Sequence, residues 1–246
     1  MQPQRTWMLP NMMTRTITLT NDVISEWRPI EKLKEQPVEM DEEESKDEGG
    51  VPNTRIDFLC ENVDDTNCQA IVVMFLQIPF EGTEFAAPDI RALQATENDS
   101  LITRDLLSAY SRLQEGNCQH TPAFLGTLEE KQDPYSWVPG GYTFFLGFTK
   151  VPGVPLGTKC MGEGVFYNLH PKKKEAVREA FKVAYIAMTS CGVREWLDRC
   201  LNHLVWDESV GKVYFVGDFG PTDEEWEWNP AWWRRWNLNE GESVGM

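Results

Sequence analysis

Basic residues are scarce in this chain. Lysine and arginine together number 23 against 39 aspartates and glutamates, leaving a formal charge of -16. A surface that negative repels phosphate backbones, which argues against nonspecific nucleic-acid binding. Histidine is rarer still: His120, His170 and His203 are the full set, with no H-E-x-x-H or paired spacing. A dedicated zinc enzyme is therefore not expected. The six cysteines include no C-x-x-C pair, so they read as reduced thiols, several of them buried as small hydrophobes. The G-x-S-x-G elbow of serine hydrolases is missing. No apolar run approaches the roughly 20 residues that span a bilayer. The opening MQPQRTWMLPNMMTRT lacks the apolar core of a signal peptide. No membrane partner is expected, and the expected compartment is the cytoplasm, with the nucleus open as an alternative.

What is present reads as an ordinary globular chain. Its 246 residues are 41% apolar and 25% charged, enough for one large domain or two lobes. Residues 1–34 form an N-terminal strand/helix segment, with Thr16–Leu19 alternating as a strand does and an apolar-charged stretch from Val23 to Leu33. Residues 35–52 carry the run EQPVEMDEEESKDEGG, eight acids against one lysine. Such a run buries too little apolar area to offset ordering entropy, so a disordered, solvated loop is expected, with an acidic docking segment as the functional alternative.

Residues 53–150 are β-rich. Ala70–Leu76 and Tyr142–Phe148 are apolar runs of strand length, and a short strand is expected around Ala123–Gly126. Between them Leu101, Ile102, Leu106, Ala109, Tyr110 and Leu113 recur at helical spacing. Within 151–220 the clearest helix runs from Pro171 to about Cys191, with Val177, Ala180, Phe181, Ala184 and Met188 on one stripe. Leu204–Trp206 and Val213–Val216 then read as a hairpin. Residues 221–246 hold five of the ten tryptophans: Trp226, Trp228, Trp232, Trp233 and Trp236. They read either as a tail packed back over the preceding segment or as an aromatic docking patch. Strands in the first half and a long helix with a hairpin in the second make the fold class α+β.

The apolar strand at 213–216 leads straight into Asp218-Phe219-Gly220. Before it come Cys191-Gly192, an irregular stretch containing Asp198, and Leu204-Val205-Trp206-Asp207. Taken alone, Asp198 could be a surface acid or a helix cap, and Asp218 an Asx turn closing a strand. Taken together, the stretch from Cys191 to Gly220 resembles the protein-kinase-like superfamily. It looks most like small fungal kinase-like proteins related to aminoglycoside phosphotransferases, in which a helix ending in Cys-Gly precedes H-G-D-L-R-x-D-N, L-x-W-D, a turn and a strand ending in D-F. A looser resemblance covers Arg55 to Lys150.

That resemblance implies a two-lobed fold with a β-rich N-lobe and a reduced helical C-lobe. It implies Mg²⁺ and ATP as cofactors, Asp198 as the catalytic aspartate, and Asp218 with Asn202 as the metal ligands. The backbone of Phe145, Gly147 and Thr149 would receive the adenine. Phosphoryl transfer asks the protein for positioning and charge neutralisation, which such residues supply.

The departures are equally specific. Trp196-Leu197 replaces the histidine and glycine before Asp198, Cys200 replaces the loop arginine, and His203 holds the place of the magnesium asparagine, with Asn202 one position early. Met74 falls where the phosphate-gripping lysine belongs, and no lysine occurs between Lys46 and Lys131. Leu106 sits at the helix glutamate, with Asp105 beside it. Arg55 and Arg91 are the nearest candidates to replace the missing cation. Losing one preorganised donor costs about 10²–10³ in rate. The expectation is thus a degenerate, noncatalytic binding or scaffold module whose protein partner docks on the acidic loop or the tryptophan tail. The alternative is a Mg-ATP-dependent phosphotransferase acting on a small-molecule or protein hydroxyl. A cleft repurposed for an apolar metabolite is a third option.

Overall fold

The computed structural model describes residues 6–97, 101–160, 162–196, 199–224 and 226–239. The chain folds as two compact units: Met1–Ser100 with Phe124–Lys150, and Leu101–Ala123 with Val151–Met246.

The first unit is built from β1 (Ile17–Thr20), β2 (Ile24–Val38), α1 (Glu42–Glu48), β3 (Asn53–Asn62), β4 (Gln69–Gln77), α2 (Pro88–Ala92), β5 (Phe124–Lys131) and β6 (Tyr142–Thr149). The strands close into an antiparallel barrel in the order β1-β2-β3-β4-β6-β5. Alternation in β3 turns Ile56, Phe58 and Cys60 inward, where they meet Leu19, Trp27, Val72, Met74 and Phe145 in a filled interior. In β4 and β6 the other face is buried as well, at Val73, Phe75, Phe144 and Leu146. That is why both strands read as continuous apolar runs rather than alternating ones. The closing contact pairs Thr20 of β1 with Thr127 of β5. Gly126 lies at the neighbouring register shift with φ 128°, and a Cβ there would collide with the Thr20 carbonyl.

Two expectations are corrected in this unit. Residues 1–34 are not a separate strand/helix segment: they supply β1 and most of β2, the first two staves of the barrel. The acidic run is not a disordered loop across its described length. β2 stays paired to β3 as far as Val38, opposite Asn53. The chain then enters α1 through a capping box, in which the Asp41 carboxylate accepts from the Glu43 and Glu44 N–H groups while Glu44 accepts from the Asp41 N–H. Three acids in the first turn suit the helix N-terminus, Lys46 pairs with Glu42, and Gly49 ends the helix at φ 69°. Local capping supplies the order here. Composition alone carries no trace of it.

Glu35 ties the N-terminal strap to β2. Its carboxylate accepts from Thr6 Oγ1 at 2.8 Å, the Trp7 N–H at 2.5 Å, the Met8 N–H at 3.2 Å and Lys32 Nζ at 2.8 Å. Trp7 is buried, edge-on to Trp137 at 4.9 Å. Burial pushes the Glu35 carboxyl up, but the bonds from Lys32, Thr6 and Trp7 outweigh it, so the net shift is below the ordinary 4.5. A lowered folded value means stability that is present above the unfolded carboxylate value and lost as pH falls through the folded one. In an NMR titration the Glu35 carboxyl should titrate below 4.5, and the Trp7 amide resonance should move with it. In Glu35→Gln that amide titration should vanish. A Glu35 midpoint above the ordinary value would contradict the clamp.

The second unit contains α3 (Leu101–Glu115), β7 (Val154–Pro155), α4 (Val165–Asn168), α5 (Pro171–Ser190), β8 (Val193–Glu195), β9 (Leu204–Asp207), β10 (Lys212–Phe215), β11 (Phe219–Pro221) and α6 (Ala231–Arg235). It carries a β10-β9-β7 sheet and a β11-β8 ribbon, and is richer in helix than the first unit. The α5 stripe buries Val177, Phe181, Ala184 and Met188 as its spacing predicts, and buries Tyr185 in addition. α3 joins this unit rather than the β-rich one, with Tyr110 edge-on to Phe219 at 5.6 Å.

The tryptophan tail belongs to the core of the second unit. Trp236 is fully buried against Phe215 at 5.2 Å and Phe181 at 5.7 Å, and Trp232 lies 5.0 Å from Tyr185. Trp233 Nε1 donates to the Arg178 carbonyl at 3.2 Å, and Arg178 Nε donates to the Leu238 carbonyl at 2.7 Å. Among the described residues no helix is long and apolar enough to cross a membrane.

Candidate functional site

The chemistry-bearing stretch begins where α5 stops. Gly192 turns the chain at φ 67° into β8, which pairs with β11 so that Phe219 faces Glu195 and Gly220 faces Arg194. One step further the Trp196 N–H donates to the Asp218 carbonyl at 2.9 Å. Beyond the loop, a 3-10 turn at Leu201–His203 leads into β9, and the His203 carbonyl accepts the Val216 N–H at 2.9 Å. Both ends of the loop are thereby pinned to the segment Val216–Asp218. A Cβ on Gly217 would lie 3.4 Å from the His203 ring, so the Leu201–His203 turn packs against the segment that leads into Asp218. The expected hairpin is present: the Asp207 carboxylate accepts from the N–H and hydroxyl of Ser209 and shapes the turn between β9 and β10.

Of the residues singled out in sequence, Asn202 lies in the Leu201–His203 turn and Asp218 directly follows Gly217. Asp198, the expected catalytic aspartate, lies outside the described residues together with Leu197. Asn202 Oδ1 is shut off from solvent and has no hydrogen-bond partner among the described residues. An orphaned amide oxygen suits a hard cation, so Asn202, with Asp218 as the carboxylate, would hold the magnesium if it binds. Among the described residues no three His, Cys, Asp or Glu side chains form a metal-holding group.

The residues expected to receive the adenine are placed differently. Phe145 stands between Met74 of β4 and Leu128 of β5, and Gly147 between Val72 and Gly126. A strand paired on both sides spends its N–H and C=O groups on its neighbours, so the backbone at Phe145 and Gly147 is taken up by the barrel. The Phe145 ring fills the barrel interior, and Gly147 makes room for Leu19. Thr149 pairs with Ala70 at the strand end. Met74 is fully buried opposite Ile56. Neither candidate cation replaces the lysine there. Arg55 bonds Asp57 at 2.8 Å and lies 5.9 Å from the Phe75 ring, while Arg91 donates to the Trp137 carbonyl at 2.5 Å and the Ala86 carbonyl at 3.1 Å. The first unit also carries an open depression of about 500 Å³ lined by Arg15, Glu130, Lys131, Asp133 and Thr143, among others. The doubly bonded Arg15–Glu130 pair, at 2.8 and 2.9 Å, lies along it.

Sequence reasoning missed one ionic group beside the loop. Glu195 is 8% exposed, and its Oε1 accepts from Arg199 Nε at 2.5 Å while Oε2 is buried with no partner among the described residues. The Arg199 guanidinium lies 5.3 Å from the Trp232 ring, which also faces Arg235 at 4.5 Å. Burial, and next the Glu195 charge, push the Tyr185 phenol well above its ordinary value. The signal in sequence was a Glu and an Arg four apart, a spacing normally read as a helix pair but here joining a strand to a loop.

No protein-family model matches the chain, and no curated protein matches it. Solved structures do. WaaP, in a complex with acyl carrier protein, is 17% identical with a TM-score of 0.41, over 74% of this chain and 62% of that one. The kinase PK-1 of the Cydia pomonella granulovirus is 10% identical with a TM-score of 0.43, over 86% of this chain and 67% of that one. The present chain thus spans less than two thirds of the WaaP chain.

Proposed function

We propose that the protein is a noncatalytic binding or scaffold module on a kinase-like framework. The observation that carries this reading is the occupied state of β4 and β6. Met74 and Phe145 are sealed in the barrel interior, and the backbone at Phe145 and Gly147 is paired on both sides. Neither a phosphate-gripping cation nor an adenine-receiving edge is on offer at those positions. With Arg55 and Arg91 engaged elsewhere, the charge neutralisation that phosphoryl transfer requires has no donor in that strand pair. The natural docking surfaces are the exposed acids of α1 and the solvent-facing side of the tryptophan tail, and the partner is a protein.

One observation favours a second reading, a Mg-ATP-dependent phosphotransferase: the unpaired Asn202 Oδ1, on a turn packed against the segment that leads into Asp218. Magnesium bound there would neutralise phosphate charge, Asn202 and Asp218 would supply oxygen ligands, and Asp198 would orient the acceptor hydroxyl.

Thermal melting with Mg²⁺ alone and with Mg²⁺ plus millimolar ATP separates the two. The scaffold reading expects a melting temperature unchanged by ATP and the same in Asp218→Ala. A ligand present at 100 times its dissociation constant would add about 2.7 kcal/mol of stability, an effect that a melt resolves. An ATP-dependent rise abolished by Asp218→Ala, with a phosphorylated product lost in Asp198→Asn, would overturn it.

A further inference from the structure

Cysteines far apart in sequence meet in the second unit. Cys191 caps the C-terminus of α5, its N–H bonded to the Met188 carbonyl, and its thiol donates to the Ala187 carbonyl at 3.3 Å. Cys118 closes the turn after α3, with its N–H on the Leu113 carbonyl at 2.9 Å. Gly116 lies between the two turns, and a Cβ there would run into the Cys191 sulfur. The Cys118 and Cys191 side chains are themselves hydrogen-bond neighbours. Both are partly exposed free thiols, so a small oxidant reaches them from solvent.

We propose that Cys118 and Cys191 form a reversible redox site, oxidised to a disulfide by a small disulfide such as oxidised glutathione. One cysteine thiolate attacks a glutathione sulfur and breaks the glutathione S–S bond, releasing the first reduced glutathione. The second cysteine thiolate attacks the mixed disulfide, forming the Cys118–Cys191 bond and releasing the second. The two cysteine protons end on the two glutathione thiols, and the cysteine sulfurs are oxidised as the glutathione disulfide is reduced.

The bond would act at a structural junction. Arg112 of α3 donates to the Gly192 carbonyl at 3.1 Å and to the Thr222 carbonyl at 2.9 Å, the residues that flank one end of the β8–β11 ribbon, so the end of α3 already holds that end. Oxidation adds to those weak contacts a covalent tie between the turn after α3 and the turn that launches β8, upstream of the loop carrying Asn202. This inference is independent of whether the protein binds nucleotide.

The experiment is peptide mapping of the full chain after equilibration in glutathione buffers, paired with melting curves. Expected are a Cys118–Cys191 cross-linked peptide, a rise in melting temperature of about 5 °C or more, and reversal by dithiothreitol. Burial, and next the Cys118 sulfur, hold the Cys191 thiol above its ordinary value, so the link should form faster at pH 8 than at pH 6. Cys118→Ser and Cys191→Ser should each abolish the rise, whereas replacing the exposed Cys68 and Cys160 should preserve it. Separate glutathione adducts on Cys118 and Cys191, thiols still free in both, or a link between any other pair would overturn the proposal. The map of the unsubstituted protein decides this even where a variant folds poorly.

Discussion

Trp236→Ala is expected to lower the stability of the second unit by about 3–5 kcal/mol. The indole is fully buried and packs on Phe181 and Phe215, the two side chains that join α5 to β10. Truncation removes both ring contacts and leaves a cavity enclosed by aromatic walls, which have few rotamers with which to collapse into it. Urea denaturation followed by far-ultraviolet circular dichroism measures the loss. Trp233→Ala serves as the contrast, since it gives up one indole hydrogen bond to the Arg178 carbonyl and less buried area, at a cost of about 1–2 kcal/mol. Equal, small effects for the two would mean that the tail is an appendage rather than part of the core.

Arg199→Ala is the second large effect. The Glu195 side chain is 7% exposed, and Arg199 is the partner of its Oε1. Removing the arginine leaves a carboxylate inside an aromatic cluster without its compensating charge, a change that costs about 3–5 kcal/mol in fully buried pairs. Arg199 is itself 39% exposed, so water reaches part of the pair and the expected loss is nearer 2–3 kcal/mol. Adding Glu195→Gln should restore more than half of it, because a neutral amide demands far less solvation than a carboxylate. A single variant within about 0.5 kcal/mol of the parent would show that the pair is incidental. A double variant no better than the single would show that the arginine acts through its packing on Trp232.

The elements legible in sequence were those whose signal is local. Pro171, the stripe from Val177 to Met188 and Gly192 all lie within one helix, and α5 forms where they place it. The hairpin before Asp218 is legible for the same reason, since Asp207 and the turn after it act over a few residues. The acidic run misled because its order comes from hydrogen bonds of Asp41 and Glu44 to backbone N–H groups, while composition registers only unfavourable burial. Barrel closure was illegible because it rests on Thr20 meeting Thr127, a contact that no period along the chain encodes. The same holds for the candidate site. Trp206-Asp207 and Asp218-Phe219-Gly220 could be matched as a string, whereas the Glu195–Arg199 pair and the meeting of Cys118 with Cys191 arise only once strands and helix ends have been brought together in space.

The placement of α3 fixes an order of events during synthesis. The ribosome makes Leu101–Glu115 in the middle of the first unit, before β5 and β6, yet the helix packs in the second unit against β8 and β11. Tyr110 must wait for Phe219, on a strand translated more than a hundred residues later. Until then the apolar stripe of Leu106, Ala109 and Leu113 has no native cover, while the barrel can finish as soon as Thr149 has emerged. A nascent chain stalled between Lys150 and Gly220 would therefore carry a complete set of first-unit strands together with an α3 whose partner strand β11 has not yet been made.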